Sequence, residues 1–177
     1  MRNIWIGMIL IFLDFNLNIG SSQIGLIPDF LGYIILINGL SEMNRESPQF
    51  GRVKPFAIGM AIYTAILYVM DFLGISAALG GFPYLLGVVS TLVSLYISYH
   101  IVTGVREIEE TRGTFMNGDA LKTAWNRLAV FSVIALFAVW IPFLALFILI
   151  AGFIVSILYL VAFNTAKKLY YEPAARL

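Results

Sequence analysis

The sequence predicts an all-α, polytopic membrane protein with six transmembrane helices arranged as three hairpins. Hydrophobic residues make up 60% of the 177 residues and charged residues only 12%, whereas soluble domains are about 45–50% apolar and about 25% charged. The apolar residues form six runs that approach the ~20 helical residues needed to cross a hydrocarbon core. All 11 Lys and Arg residues fall on one side of these runs. The high mean hydropathy, +0.91, agrees with this class.

The six runs follow one another as a single transmembrane domain over 1–177. Arg2 and the first run resemble a signal peptide, but Asp14 follows the run closely and further runs come after it, so a retained helix is expected. The last apolar stretch, 128–166, is uncharged and too long for one span, so the segment 140–143 is expected to divide it. The predicted spans are 4–19, 24–40, 55–77, 83–103, 125–141 and 142–166.

Prolines mark the start of the returning helix in each predicted hairpin, at Pro28, Pro83 and Pro142. Proline is favoured at the first helical position because the N–H that it lacks would have no partner there. Basic residues occur at both ends of the chain and in the second and fourth loops, so the positive-inside rule places both termini in the cytoplasm of a cell. Aromatic residues flank the runs, as in interfacial belts: Trp5, Trp125, Tyr170 and Tyr171 on the inner side, and Phe82, Tyr84, Trp140 and Phe143 on the outer side.

The fourth loop has its own local signals. Residues 105–112 are expected to continue the fourth helix into the cytoplasm, and Gly113 to end it. Asp119 is expected to cap a helix that begins at Ala120. The residues that follow either lie in the membrane interface or simply extend the fifth helix. Three acidic side chains of the loop are expected to be solvated: Glu107, Glu109 and Glu110.

Polar residues interrupt the apolar runs most strongly between residues 13 and 40. Ionisable groups at membrane depth are costly, which makes them candidates for a functional site. Non-helical backbone is expected over 20–27, because the second helix proper can begin at Pro28. The candidate ligand- or cation-binding residues are Asp14, Asp29, Asp71, Asn16, Asn18 and Gln23. Which metal, if any, they would bind is left open.

The three aspartates fall at similar heights in the outer half of the membrane. Helical rise places Asp14, Asp29 and Asp71 about 18, 20 and 25 Å above the inner boundary. No Lys or Arg is available there, so each carboxyl is protonated, binds a cation or reaches water. Asp14 is expected to be the central residue, with Asp29 approaching it across the first hairpin. The neutral oxygens of Asn16, Asn18 and Gln23 suit hard cations and protons.

Each aspartate also has a purely structural explanation. Asp29 can serve simply as a stabilising negative charge at a helix N-terminus, with no ligand. Asp71 can be solvated near the outer loop. Asp14 can be hydrogen-bonded across the hairpin. Small and hydroxyl residues of the fourth helix either pack closely against a neighbour or form a polar lining: Gly87, Ser90, Thr91, Ser94 and Ser98. Tyr63, Thr64 and Tyr68 could join such a lining. His100 is interpreted as a polar residue of the inner interface.

Several functional classes find no support in the sequence. There is no cysteine, and there is no zinc-protease, serine-hydrolase or phosphate-loop motif, so no enzyme activity and no cofactor are predicted. No basic run points to nucleic acid. The favoured hypothesis is binding or transport of a small solute, cation or proton through an outward-facing polar site. The alternative is a non-enzymatic scaffold subunit whose partner is another membrane protein or a second copy of the chain. A lipid-modifying enzyme that acts through aspartates alone is the least favoured hypothesis.

The N-terminal hairpin resembles that of a group of small bacterial integral membrane proteins. The resemblance covers about the first 40 residues and is carried by the run LDFN at 13–16 and by PDFLGY at 28–33. It implies no activity. In size and number of spans the chain also resembles the substrate-binding subunits of energy-coupling-factor vitamin transporters, although it lacks the alanine-spaced first helix with which those subunits dock their partner.

Overall fold

The structure is a computed structural model of the chain, and it describes residues 1–13, 16–19, 22–25, 28–74, 82–138 and 141–172. Helices account for most of these residues, as the all-α prediction requires. The helices are α1 (Arg2–Phe12), α2 (Asp29–Met43), α3 (Pro48–Phe72), α4 (Phe82–Arg112), α5 (Gly118–Ala138) and α6 (Pro142–Tyr171). Within the described ranges, four helices are long and apolar enough to cross a membrane. Those four run over Pro48–Phe72, Tyr84–Arg112, Gly118–Ala138 and Leu146–Tyr171.

The junction between α1 and α2 departs from the predicted helices. Strand β1 (Asn16–Ile19) pairs antiparallel with β2 (Ser22–Gly25), and β2 lies next to α3. The expected span 4–19 is therefore wrong for residues 16–19. The reason is local, because polar and apolar residues alternate over 16–19, which favours a strand. The prediction of non-helical backbone over 20–27 is confirmed for Ser22–Gly25, and the rest of that segment is outside the described residues.

The second helix begins later than the predicted span 24–40. Pro28 is extended, with φ −64° and ψ 133°, and α2 starts at Asp29. At 1.5 Å per residue, the 15 residues of α2 and the 11 of α1 extend about 22 Å and about 16 Å. Neither helix alone covers a hydrocarbon core of about 30 Å.

The third helix begins earlier than predicted. Ser47 caps it by accepting a hydrogen bond from the backbone N–H of Gln49 at 3.2 Å, and Pro48 occupies its first turn. Pro55, the expected first residue, lies inside the helix instead. The cap shows why: a serine before a proline is a stronger start signal than a proline alone.

The start of α5 corrects two expectations about the fourth loop. The Glu109 carboxylate accepts hydrogen bonds from the backbone N–H of Met116 at 2.9 Å and of Gly118 at 2.8 Å. Glu109 therefore caps α5, whereas Asp119 lies in its first turn and pairs with Arg106 at 3.3 Å. The helix is continuous from Gly118 to Ala138, so the residues before the fifth span extend that helix.

Each helix packs against the next one in the chain, and α6 returns to α1. The α1–α6 contact includes the Trp5 indole N–H, which donates to the Leu160 carbonyl at 3.2 Å. The ends that carry the Lys and Arg residues meet, because Arg112 pairs with Glu46 and Lys167 lies over the Trp5 ring. This end of the fold is called the basic end below.

Exposed hydrophobic side chains are abundant on the long helices. Phe72 is 75% exposed and Phe147 66% exposed, which is unlike the scattered apolar residues of a soluble surface. The buried core includes Ile4, Leu40, Phe50, Ile101 and Phe163. An apolar exterior around four helices of spanning length indicates a membrane-embedded protein.

Candidate functional site

A polar cavity of about 210 Å³ lies among α1, α2, α4 and α5. It contains one carboxylate and five hydroxyl groups, set against three apolar side chains. Its lining residues are Ile11, Phe12, Asp29, Tyr33, Ser90, Thr91, Ser94, Leu95 and Ser132. Among the described residues, this lining includes no Lys or Arg, and its carboxylate is that of Asp29.

Asp29 enters the cavity from the first turn of α2. Pro28, which precedes it, is itself extended, and a carboxylate in this position is stabilised by the positive end of the helix dipole. The side chain at the fourth position further along a helix lies on the same face, and here that residue is Tyr33. The sequence of α2 therefore places a carboxylate and a phenol on the same wall of the cavity.

Tyr33 joins this wall to α4. Its ring is buried, at 2% exposure, and its hydroxyl lies 2.7 Å from the Ser94 hydroxyl. Because either oxygen can donate in this hydrogen bond, one of the two hydroxyl groups keeps a donor that can turn toward the cavity.

The α4 wall presents hydroxyls at helical spacing. Thr91 donates to the Gly87 carbonyl at 2.9 Å, so its oxygen remains an acceptor for the cavity. Ser90, Thr91 and Ser94 thus belong to a polar lining. Ser98 does not, because it donates to the Leu95 carbonyl at 3.0 Å and accepts from the Trp125 indole at 2.9 Å.

An apolar floor closes the cavity toward the basic end. Met8, Leu36, Ile97 and Ile101 are each at most 2% exposed. They belong to the lining of a void of only about 10 Å³. Such a void is at the lower limit for a single water molecule, about 10–15 Å³. Ser94 and Ser98 also border this void, so the floor is mainly, but not wholly, apolar.

The other predicted site residues are distributed unevenly. Asp14 lies outside the described residues. Asn16, Asn18 and Gln23 lie in the β1–β2 ribbon, with Asn18 opposite Gln23 in the register. Asp71 is exposed in the last turn of α3 and does not line the cavity.

The α3 side chains that could have joined the lining make other contacts. Tyr63 donates to the Leu86 carbonyl at 2.7 Å, and Thr64 donates to the carbonyl of its own helix at Met60 at 2.8 Å. The Tyr68 ring meets the Phe30 ring edge-on, with centroids 5.9 Å apart. Tyr63 therefore joins α3 to α4 and Tyr68 contacts α2, whereas Thr64 bonds within its own helix.

Tyr33 and Ser132 line the cavity but were not predicted from the sequence. For Tyr33 a signal existed, namely its spacing of four residues from Asp29 on the same helix. For Ser132 the only signal was a hydroxyl within a long apolar run, and nothing local indicates which helix it faces.

A second polar cluster, the α3–α4 clamp, consists of Ser47, Gln49, His100 and Glu107. Glu107 accepts hydrogen bonds from the Ser47 hydroxyl and from the Gln49 side-chain amide, the latter at 2.7 Å. The Gln49 carbonyl oxygen lies 2.8 Å from Nδ1 of His100. The expectation that Glu107 is merely solvated is therefore wrong. Within the described ranges, no group of three or more His, Cys, Asp or Glu side chains could hold a metal ion.

Comparisons with protein families, with curated proteins and with solved structures found no match for this chain.

Proposed function

We propose that the protein is an integral membrane protein that binds a small cation, either an inorganic ion or a compact organic ammonium, in the Asp29 cavity. The observation that carries the proposal is a cavity whose lining, in the described part of the chain, has one carboxylate, five hydroxyl groups and no basic side chain. Carboxylate and hydroxyl oxygens are hard ligands that suit hard cations. The cavity volume is about 210 Å³, whereas a cavity of about 10–15 Å³ already admits one water molecule. A partly hydrated ion therefore fits.

The topology that we propose has six spans in three hairpins, with both termini in the cytoplasm. In this arrangement the basic end faces the cytoplasm, as the positive-inside rule requires. Asp29 lies 14 residues along α2 from Met43, a distance of about 21 Å at helical rise. The cavity therefore belongs to the outer half of the membrane and is reached from outside.

The short first hairpin supports an outer cavity. Because α1 and α2 are too short to span the hydrocarbon core alone, the β1–β2 ribbon falls at membrane depth in this topology. Irregular backbone survives at that depth only where protein covers it or where it borders water. Packing of β2 against α3 provides such cover, and a water-filled cavity next to α2 would hydrate the rest.

The single carboxylate of the described lining favours monovalent cations. One carboxylate neutralises one positive charge, whereas a divalent ion usually gathers several carboxylates in proteins. Asp14 stays a prediction as a second carboxylate of the same site. Transport would in addition require the apolar floor and the Tyr33–Ser94 contact to open, so binding is the first property to test.

The test is cation-dependent stability of the purified protein. Thermal unfolding is followed by tryptophan fluorescence in detergent at constant ionic strength, with sodium, potassium or methylammonium replacing the bulky N-methylglucamine ion. A bound cation stabilises the folded state by about 2.7 kcal/mol at a concentration of 100 times its Kd. At least one small cation should raise the melting temperature of the wild type.

Two carboxylate variants make this test specific. Asp29→Asn should remove the response, whereas Asp71→Asn should keep it because Asp71 is exposed outside the cavity. If no small cation stabilises the wild type, or if both variants respond equally, the proposal fails. The scaffold-subunit hypothesis, in which Asp29 serves only the helix N-terminus, would then take its place.

A further inference from the structure

A second concave surface, the α5–α6 groove, lies outside the Asp29 cavity. It has a volume of about 420 Å³ and is lined by Ala120, Thr123, Ala124, Arg127, Val155 and Leu158. The four α5 residues follow the spacing i, i+3, i+4 and i+7, which places them on one helix face. The two alanines keep this face shallow, so a groove rather than a tight helix contact results.

Arg127 has an unusual position for a charged side chain. It lies nine residues after Gly118 along α5, about 13 Å at helical rise, and it borders the groove beside the apolar Val155 and Leu158 of α6. In the described part of the chain, the ion pairs involve Arg106 and Arg112, and none involves Arg127. A cationic group beside an apolar wall in the membrane is costly unless it reaches an anion or the headgroup layer.

Neighbouring basic groups are engaged elsewhere. The Lys122 ammonium lies 4.0 Å from the centroid of the Tyr99 ring and 4.5 Å from that of Trp125. Arg106 pairs with Asp119 at 3.3 Å. Arg127 is therefore the basic side chain that the groove itself offers, and no acidic residue belongs to the lining.

We infer that the α5–α6 groove binds an anionic phospholipid of the leaflet at the basic end. The Arg127 guanidinium, bending toward the headgroup layer as long basic side chains do, donates two parallel hydrogen bonds to the phosphate. The Thr123 hydroxyl supplies a third donor. An acyl chain then follows the groove along Ala124, Val155 and Leu158. Basic pockets between transmembrane helices on the cytoplasmic side commonly hold such headgroups.

The inference goes beyond the Asp29 cavity and does not depend on it. It requires only that α5 and α6 are embedded in the bilayer. The occupant is a lipid rather than free phosphate, because the groove combines one basic and one hydroxyl group with an apolar wall. A soluble anion would leave that wall exposed to water.

The test is lipid binding by native mass spectrometry on the full chain released from detergent. Phosphatidylglycerol and phosphatidylcholine with identical acyl chains are compared. The wild type should bind phosphatidylglycerol at least tenfold more tightly than phosphatidylcholine. Arg127→Gln should lose at least tenfold in affinity for phosphatidylglycerol, and Arg127→Lys should retain part of it because the charge is kept without the bidentate geometry.

Two further variants keep the inference falsifiable. Arg45→Gln removes an exposed arginine in the turn between α2 and α3, also at the basic end, and should leave phosphatidylglycerol binding unchanged. Leu158→Trp fills the groove and should reduce binding even if Arg127→Gln fails to fold. Equal losses in Arg45→Gln and Arg127→Gln, equal binding of the two lipids, or unchanged binding in Leu158→Trp would overturn it. Displacement of phosphatidylglycerol by millimolar glycerol phosphate would also overturn the inference, because a soluble phosphate would then occupy the groove.

Discussion

The close contact between α1 and α2 gives the sharpest prediction about stability. A Cβ atom added at Gly39 would lie 2.5 Å from the backbone nitrogen of Ile4 and 2.7 Å from its Cγ1 atom. Carbon atoms in ordinary contact are about 3.5–4.0 Å apart, so Gly39→Ala forces the two helices apart by about 1 Å. The backbone of α1 cannot yield as a flexible side chain would.

The expected effect of Gly39→Ala is the difference between two terms. Overpacking of a well-packed contact costs typically about 1–3 kcal/mol, and a clash with backbone belongs at the upper end of that range. Replacing glycine by alanine in a helix interior raises the helix stability by about 1 kcal/mol, which offsets part of this cost. We therefore expect Gly39→Ala to lower the free energy of unfolding by about 2 kcal/mol.

The assay is unfolding by sodium dodecyl sulfate in mixed micelles, followed by tryptophan fluorescence. The matched control is Gly59→Ala on α3, where an added Cβ meets nothing within 4 Å. That variant should be as stable as the wild type or more stable by up to about 1 kcal/mol. Equal stability of Gly39→Ala and Gly59→Ala would refute the proposed helix contact.

Two further predictions concern the α3–α4 clamp and the topology. Glu107→Gln should lower the free energy of unfolding by about 1–2 kcal/mol, because it weakens charge-assisted hydrogen bonds from α3, whereas the exposed Glu110→Gln should change it by less than about 0.5 kcal/mol. Denaturant titration checks this, and equal effects of the two variants would contradict it. Phe115 and Ile141 lie at exposed positions in turns of a chain without cysteine. Phe115→Cys should react with an impermeant maleimide only from inside the cell. Ile141→Cys should react with it only from outside. Labelling of both from one side would exclude the proposed topology.

Helices could be predicted from the sequence where apolar runs and local start signals agree. The start of α2 next to Pro28 follows from the proline, and α6 begins at Pro142 for the same reason. The β1–β2 ribbon differs from the prediction, because the alternation over residues 16–19 is short and continues an apolar run. The start of α3 was placed at Pro55, although Ser47 and Pro48 carry the stronger signal.

The cavity could be predicted only in part. Membrane depth and charge drew attention to Asp29, and helical spacing drew attention to the hydroxyls of α4. Contacts between residues far apart in the chain had no local signal. The Tyr33–Ser94 contact joins residues 61 positions apart, and the bond from Ser47 to Glu107 joins residues 60 apart. Which helices become neighbours decides such contacts, and that depends on packing of the whole chain.

The central claim is a water-filled cavity, open to the outside, in which Asp29 attracts cations. Ser90→Cys places a thiol in the cavity wall, and its reaction with small cationic and anionic thiosulfonates from outside intact cells measures access and charge together. Because a carboxylate concentrates cations locally, the cationic reagent should react about tenfold faster than the anionic one. Asp29→Asn in the same background should abolish that preference. A thiol at position 90 that does not react from outside, or a preference that persists without the Asp29 carboxylate, would contradict the claim.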